Sequence, residues 1–487
     1  RVPAPPARPA LPRPRPPARP APPRPAPAPG AVGGSAGPGA CPPPPARLAG
    51  ARALGRARGG GAAGTSINSG GFVYVGGGTA LQKALGYEDS PENMFRYMMA
   101  ACGPEPDEAL IAPYCEGSAE HFDWIVARGV PYKQSFFAGA HEPFHSDDGL
   151  VFSGSEHVHP FNEIAVPAPR GHAPQSIRDK GALLMKKLIA AAGAVGVQPA
   201  FQARCDALVL ATDGRVVGAI ASTLEGEQRI RARKGVILTA GGFIYNDEML
   251  VRYAPLLRQC KYKIGTENDD GLGIRLGLAA GGEAIRMHAG DVSMPIFPPN
   301  SLRHGIFVNA QGQRFLNEDV YLGRAGEIVI YHQDSRAWLV VDDEHFGHPE
   351  SFPVEIAAAC ETIEELEGEL GLPAGALQQT VAYYNLHAEK GEDPLFHKGP
   401  DYLTPIVTPP FGAIDLSSEN VVYAAFTLGG LRIDANGRVL SAGGEPIPGL
   451  YAAGRTTSGV AKHGYSSGMS LGDGSFFGRA AGRHAAG

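Results

Sequence analysis

Two hydroxyl side chains able to handle protons, Tyr465 and Ser467, stand in the run His463-Gly-Tyr-Ser-Ser-Gly-Met-Ser-Leu-Gly-Asp-Gly474. Ahead of it, Gly449-Leu-Tyr-Ala-Ala453 has the texture of a buried strand that stops on Gly454, and a helix is expected to start between Ser467 and Leu471. A strand, a loop of small residues and a helix start, in that order, aim several backbone N–H groups at one point. The positive end of the helix dipole there can hold an anion or an electron-rich ring edge. Gly454, Gly468, Ser470 and Leu471 are therefore candidate cofactor contacts.

Gly64-Thr-Ser-Ile-Asn-Ser-Gly-Gly71 offers a second such surface. Its small side chains and hydroxyls (Gly64, Thr65, Ser66, Ser69, Gly70 and Gly71) let backbone approach a pyrophosphate or a flat ring closely. Gly235-Val-Ile-Leu-Thr-Ala-Gly-Gly242 reads as a short buried strand ending on Ala240, Gly241 and Gly242, as where a parallel strand stops beneath a ligand. Thr427-Leu-Gly-Gly430 is a further glycine turn. Histidines 141, 145, 157, 159 and 172 crowd a loop rich in Gly, His and Pro, but their spacing matches no ligand motif and no metal site is expected. The six cysteines form no C-x-x-C pair, which fits a reducing cytosol and a cytoplasmic protein. No apolar run is long enough to span a bilayer, and nothing points to nucleic acid as a partner.

These loops need a scaffold. The 487 residues include 66 glycines and are 43% hydrophobic, which suits an α/β protein with many tight turns, in two domains or with an inserted lobe. Residues 90–129 read as helical, with Met94, Tyr97, Met98, Ala101, Leu110, Tyr114 and Phe122 on the apolar face. Further helices are expected over 181–192, 269–281 and near 362–370, and a hairpin over 209–220 turning on Asp213-Gly214. Residues 1–58 differ: they hold ten arginines, no acidic residue and 19 of the 44 prolines. With the whole chain at −6, those arginines leave −16 on the remainder. Such a composition builds no packed core, so residues 1–63 are expected to be disordered or polyproline-like. They read either as a genuine Pro/Arg-rich tail or, as the composition favours, as a GC-rich coding stretch in the wrong frame. On either reading, residues 1–63 are not expected to supply the opening βαβ, with its phosphate-binding glycine turn and the ribose-binding acidic residue after it.

The Pro-Gly-Leu-Tyr-Ala-Ala-Gly454 strand, the glycine-serine helix start and the ordered glycine turns together resemble FAD-dependent dehydrogenases of the fumarate reductase and ketosteroid dehydrogenase superfamily. Phe307-Val-Asn-Ala-Gln-Gly-Gln-Arg-Phe-Leu-Asn-Glu318 is similar to that family's V-N-x-x-G-x-R-F-x-N-E run at the cap–flavin junction. The resemblance implies an α/β fold with a glutathione-reductase-type, Rossmann-like FAD-binding domain in two pieces, 64–284 and 423–487. The first βαβ would be missing, and an α+β cap would be inserted at 285–422. FAD would be held without a covalent bond, because the histidine that flavinylated members carry near 64–71 is absent. Ala203 joins the implied cofactor contacts. Arg314 and Glu318 read as a structural ion pair holding the cap, Tyr321 just beyond them as an active-site residue, and Arg170-Gly-His172 as lying near the substrate or flavin entrance.

Fumarate reductases read H-G-x-x-R-L-G-G where this chain has His463-Gly-Tyr-Ser-Ser-Gly468, and they place a proton-donor arginine where it has Leu322. A dicarboxylate site is disfavoured on that ground. Residues 70–175 are most similar to the 3-ketosteroid 4-dehydrogenase branch, notably in Phe72-Val-Tyr-Val-Gly-Gly-Gly-Thr79 and Pro169-Arg-Gly-His172. That branch implies Tyr321, Tyr465 and Ser467 as catalytic groups acting on a small steroid-like substrate. A C3 ketone acidifies the C4 proton, a hydroxyl-bearing base removes it, and the C5 hydrogen leaves as hydride to flavin N5. A free tyrosine titrates near about 10, so a relay of hydroxyls and the ketone's own acidifying effect must assist. N–H or O–H donors to the C3 oxygen would stabilise the enolate-like state. The remaining readings are a 3-ketosteroid 1-dehydrogenase, a fumarate reductase-like flavoprotein and a non-functional fragment lacking the N-terminal FAD motif. The sequence names no physiological electron acceptor.

Overall fold

The computed structural model describes residues 54–56, 64–139, 145–294, 296, 299–349 and 354–487. The expectations for the rest of residues 1–63, and for His141, lie outside the described residues. The fold mixes helices with several small sheets, as an α/β chain should. The strand Val236–Leu238 runs parallel to Pro446–Ala452 in the register Val236↔Leu450 and Leu238↔Ala452, and Arg438–Leu440 pairs antiparallel on the far edge. Both parallel strands run out into the small residues Ala240–Gly242 and Ala453-Gly454, so their ends are narrow enough for backbone to meet a ligand.

A second parallel pair joins Leu54–Arg56 to Gln198–Ala200. Residues 1–63 were expected to be without structure, so this strand is a correction. Leu54-Gly-Arg56 contains no proline, and its N–H groups can enter a ladder. The hairpin appears as Arg204–Leu210 against Val216–Thr223, extended by Gly226–Arg231. The helical stretch over 90–129 is two helices, Pro91–Ala101 capped by Ser90 and Glu108–Val126, broken at Gly103 with φ +99°. Every apolar position expected in it is buried. The helix expected at 269–281 is Leu272–Ala279, because Gly271 at φ +76° ends the preceding loop and Asp269 is engaged elsewhere.

Between residues 306 and 415 the chain forms an antiparallel sheet in the order Ile306–Val308, Trp338–Val341, Phe411–Asp415, Ile356–Cys360. Helices Ile363–Glu369 and Ala376–Ala388 share its apolar core, which includes Ile306, Val340, Leu366, Leu377, Val381 and Ala413. Arg314 makes two bonds to Glu318 (3.1 and 2.9 Å) and two to Asp393 (2.9 and 3.0 Å), and Lys398 Nζ lies 3.3 Å from Glu318. Four buried charges thus balance two against two, an arrangement that is costly to break from one side. The strands Tyr262–Lys263, Ala424–Thr427 and Gly290–Ser293 form another sheet, and helix Leu322–His332 packs on the last of these. Gly326 permits the close approach, since a Cβ there would overlap Val292 O. Among the described residues no helix is long and apolar enough to cross a membrane.

Candidate active site

Strand Pro446–Ala452 delivers the chain into a turn at Gly454–Thr456, where the Thr457 N–H and Oγ1 both bond Gly454 O at 2.8 and 2.7 Å. The last helix, Met469–Ala486, follows Gly468 at φ +95°, which as a glycine offers no side-chain cap. Gly468 O accepts the Tyr74 N–H at 3.1 Å, and a Cβ at this glycine would lie 2.8 Å from Tyr74 N. The turn and the helix start line one cleft with Leu428, Gly454, Arg455, Ser470 and Asp473. Leu471 turns its side chain into an apolar cluster with Val73 and Leu81.

The other glycine turns converge through a residue that sequence reasoning missed. Asp269 is 1% exposed and accepts from Thr65 Oγ1, from the Thr266 N–H (3.0 Å) and from the Gly242 N–H (3.2 Å), with the Arg455 guanidinium 3.4 Å away. One carboxylate therefore ties the Thr65–Asn68 turn, which follows Gly64, to Ala240–Gly242 and to the Gly454–Thr456 turn. Gly241 sits at φ +79°, and a Cβ on it would overlap Asp269 Oδ1. Thr456 Oγ1 donates to Gly241 O at 3.1 Å, and the Phe243 N–H to Thr427 Oγ1 at 3.1 Å. Ser69 Oγ bonds the Ser66 carbonyl at 2.7 Å and accepts the Gly71 N–H at 3.2 Å. Gly70 adjoins Phe72, and Gly71 at φ +72° packs against Lys180-Gly181 at the start of helix Lys180–Ala194. Ala203 is buried just before strand Arg204–Leu210, and no described hydrogen bond ties it to these turns.

Tyr465 accepts the Ser470 N–H at 3.1 Å and sets its ring edge-on to Phe426, 5.2 Å between centroids. The Ser467 N–H donates to Ser153 O at 2.7 Å, and Ser153 Oγ returns a bond to Ser467 O at 2.9 Å. Tyr321 precedes helix Leu322–His332, and its N–H donates to Ser155 Oγ at 3.0 Å. Asp291, the ladder partner of Phe426, approaches the same helix start: a Cβ on Gly323 would lie 2.8 Å from Asp291 Oδ1 and overlap the Tyr321 ring. Tyr321 thus shares the short Ser153–Ser155 segment with Ser467, and the Gly290–Ser293/Ala424–Thr427 strand pair with Tyr465.

Arg170 and His172 are not at an entrance. Arg170 is completely buried, bonds Asp89 at 2.8 and 3.0 Å and lies 5.2 Å over the Tyr97 ring. His172 is equally buried, with Nε2 2.9 Å from Thr79 Oγ1, and desolvation pushes its imidazole down to about 4. Their arginine–glycine–histidine pattern holds the interior together. Among the described residues no cluster of His, Cys, Asp and Glu could hold a metal ion.

The donor set fits a flavin. Gly241, Gly242 and Gly459 leave no room for a Cβ, and Ser458 Oγ and Asp473 Oδ1 are buried without a partner. Burial pushes the Asp473 carboxyl up to about 6, although the Val460 N–H, at 2.8 Å, favours its charged form. A family described as the FAD binding domain matches residues 49–471. The chain belongs to the FAD-binding family. The match opens at residue 49, within the segment expected to lie outside the fold, and takes in Gly59-Gly-Gly-Ala-Ala-Gly64, a G-x-G-x-x-G run that corrects the expectation of none in residues 1–63. The protein is an FAD-dependent oxidoreductase of the steroid dehydrogenase and fumarate reductase group. It is 46% identical to the 3-ketosteroid-Δ4-(5α)-dehydrogenase of Rhodococcus jostii RHA1, solved in complex with 4-androstene-3,17-dione. That match has a TM-score of 0.88 and covers 93% of this chain and 96% of the other. A 3-oxo-5-alpha-steroid 4-dehydrogenase of Comamonas testosteroni is 29% identical over 80% of this chain and 86% of its own length. The NADH:acrylate oxidoreductase of Vibrio harveyi is 28% identical over 77% of this chain, which spans only 36% of that longer protein.

Proposed function

We propose that the chain desaturates the C4–C5 bond of 3-keto-5α-steroids. In this reading its parallel strands belong to a glutathione-reductase-type, Rossmann-like flavin domain, with 285–422 inserted as the cap. The turns at 64–71, 240–242, 454–457 and 468–471 would hold FAD without a covalent bond. Bound FAD supplies the acceptor for the hydrogen that leaves C5 with its electron pair. The observation that carries the reading is the shared support of Tyr321, Tyr465 and Ser467 at the cap–flavin junction. The likeness to a solved 3-ketosteroid-Δ4-(5α)-dehydrogenase agrees with it.

Tyr465 accepts a backbone N–H at the positive end of the last helix, which polarises its hydroxyl and makes it a stronger donor to a C3 ketone. Charge developing on that oxygen is stabilised where it forms. The acidified C4 proton then passes to a hydroxyl oxygen of the Ser467 and Tyr321 pair. Both residues are partly buried, Tyr321 just before helix Leu322–His332 and Ser467 just before helix Met469–Ala486. Leu322, buried where fumarate reductases carry an arginine, gives a dicarboxylate no partner.

A dye-linked reduction screen tests the reading with a 5α-3-ketosteroid, a Δ4-3-ketosteroid, fumarate and urocanate. Turnover of the saturated ketosteroid alone, yielding the Δ4 product, is expected. Reduction of fumarate, or oxidation of the Δ4-3-ketosteroid at C1–C2, would refute it.

A further inference from the structure

We propose that Tyr97 and Ser155 are positioning residues that set the register between the cap tyrosine, Tyr321, and the loop carrying Tyr465 and Ser467. The claim rests on the proposed steroid chemistry and adds two residues that never touch the substrate in it. Tyr97 lies on helix Pro91–Ala101 and is 1% exposed. Its ring is wedged between Tyr74 (6.4 Å), Phe161 (5.7 Å, edge-on) and the Arg170 guanidinium (5.2 Å). Its hydroxyl accepts the Ser155 N–H at 3.0 Å and meets Ser466 Oγ at 3.0 Å. Ser155 Oγ in turn accepts the Tyr321 N–H at 3.0 Å.

A continuous chain of hydrogen bonds therefore runs from the cap helix start through Ser155 and Tyr97 to Ser466, the residue between Tyr465 and Ser467. A parallel strand of contact runs through Ser153, which bonds Ser467 twice. There is no slack in the chain: a Cβ on Gly154 would lie 2.6 Å from the Tyr97 hydroxyl and overlap Ser466 Oγ. Glu156 holds the turn from behind by accepting the Gly154 N–H at 2.9 Å. All the side chains in the chain, including Ser466, are buried, so water does not compete for these bonds. Tyr321 and Ser467 arrive on elements more than a hundred residues apart in sequence. Their hydroxyls can meet one substrate carbon only if something fixes that offset, and a displacement near 1 Å costs about 100-fold in rate.

The test compares Tyr97→Phe, which keeps the ring, with Ser155→Ala and the double variant, using the full flavin-loaded chain. Turnover of a 5α-3-ketosteroid is normalised to bound flavin, and kcat and KM are read separately. Each single variant should lose roughly 10- to 100-fold in kcat per flavin with KM nearly unchanged. The double variant should lose no more than the worse single one, because both cut the same chain. Unchanged kcat per flavin, losses confined to flavin content, or losses that multiply in the double variant would each overturn the proposal. A wild-type protein that does not oxidise the steroid overturns instead the function on which the proposal rests.

Discussion

Replacing Asp269 should loosen the flavin site without touching the hydroxyls assigned to chemistry. Its Oδ2 takes Thr65, the Thr266 N–H and Arg455, while its Oδ1 takes only the Gly242 N–H. Asp269→Ala takes the acceptor from these donors and leaves a mostly buried arginine with only the Ile264 carbonyl and the Phe426 ring, a loss of about 3–5 kcal/mol when one partner of a buried pair is removed. If about 2 kcal/mol of that falls on the flavin-bound arrangement, the FAD dissociation constant rises about 30-fold. Asp269→Asn can place its amide oxygen at the crowded position and fail only toward Gly242, so its cost is about 1–3 kcal/mol. Flavin fluorescence released during equilibrium dialysis measures the order directly: Ala weakest, Asn intermediate, wild type tightest. Equal retention by all three proteins would refute the argument that this carboxylate assembles the site.

Tyr465→Phe should lower turnover by at least about 100-fold while the visible flavin bands persist, measured by dye reduction and absorbance on the same sample. Glu318→Ala leaves Arg314 with Asp393 alone and the Lys398 ammonium without its carboxylate, and should destabilise the 306–415 region by about 3–5 kcal/mol, seen in denaturant melts. Asp473 has a carboxyl raised to about 6 against about 3.9 when unfolded, so the native state binds the proton more tightly in that window. Its contribution to stability is present below about 4 and is lost as pH rises toward 6. Asp473→Asn, which keeps an acceptor for the Val460 N–H, should therefore gain on wild type as pH rises from 4 to 6, by thermal melts at matched flavin loading.

Much of this architecture could be read from residues in sequence. The strand ending at Gly454, the hairpin turning on Asp213-Gly214 and the Arg314–Glu318 pair are local patterns whose meaning does not depend on distant partners. Asp269 escaped because its role depends on Thr65, which lies 204 residues away. The Ser153–Ser155 segment escaped for the same reason: three small residues in a glycine- and proline-rich loop carry no periodicity. Helix Leu322–His332 carries Gly323 and Gly326, which weaken a helical pattern in sequence but are what lets the helix press on Tyr321 and Val292. Arg170 misled in the opposite direction. A charged residue beside a histidine suggests an exposed site, yet Asp89, 81 residues earlier, neutralises it inside the core.

The central claim is that hydrogen leaves C5 of a 3-ketosteroid as C4 gives up its proton to hydroxyls of this chain. The most direct measurement is anaerobic reduction of the bound flavin by a 5α-3-ketosteroid, followed by rapid mixing, with protium or deuterium at C5. The account predicts bleaching of the flavin with formation of the Δ4-3-ketosteroid, slower with deuterium at C5. A flavin that stays oxidised under excess steroid, or bleaches at the same rate with both isotopes, would contradict it.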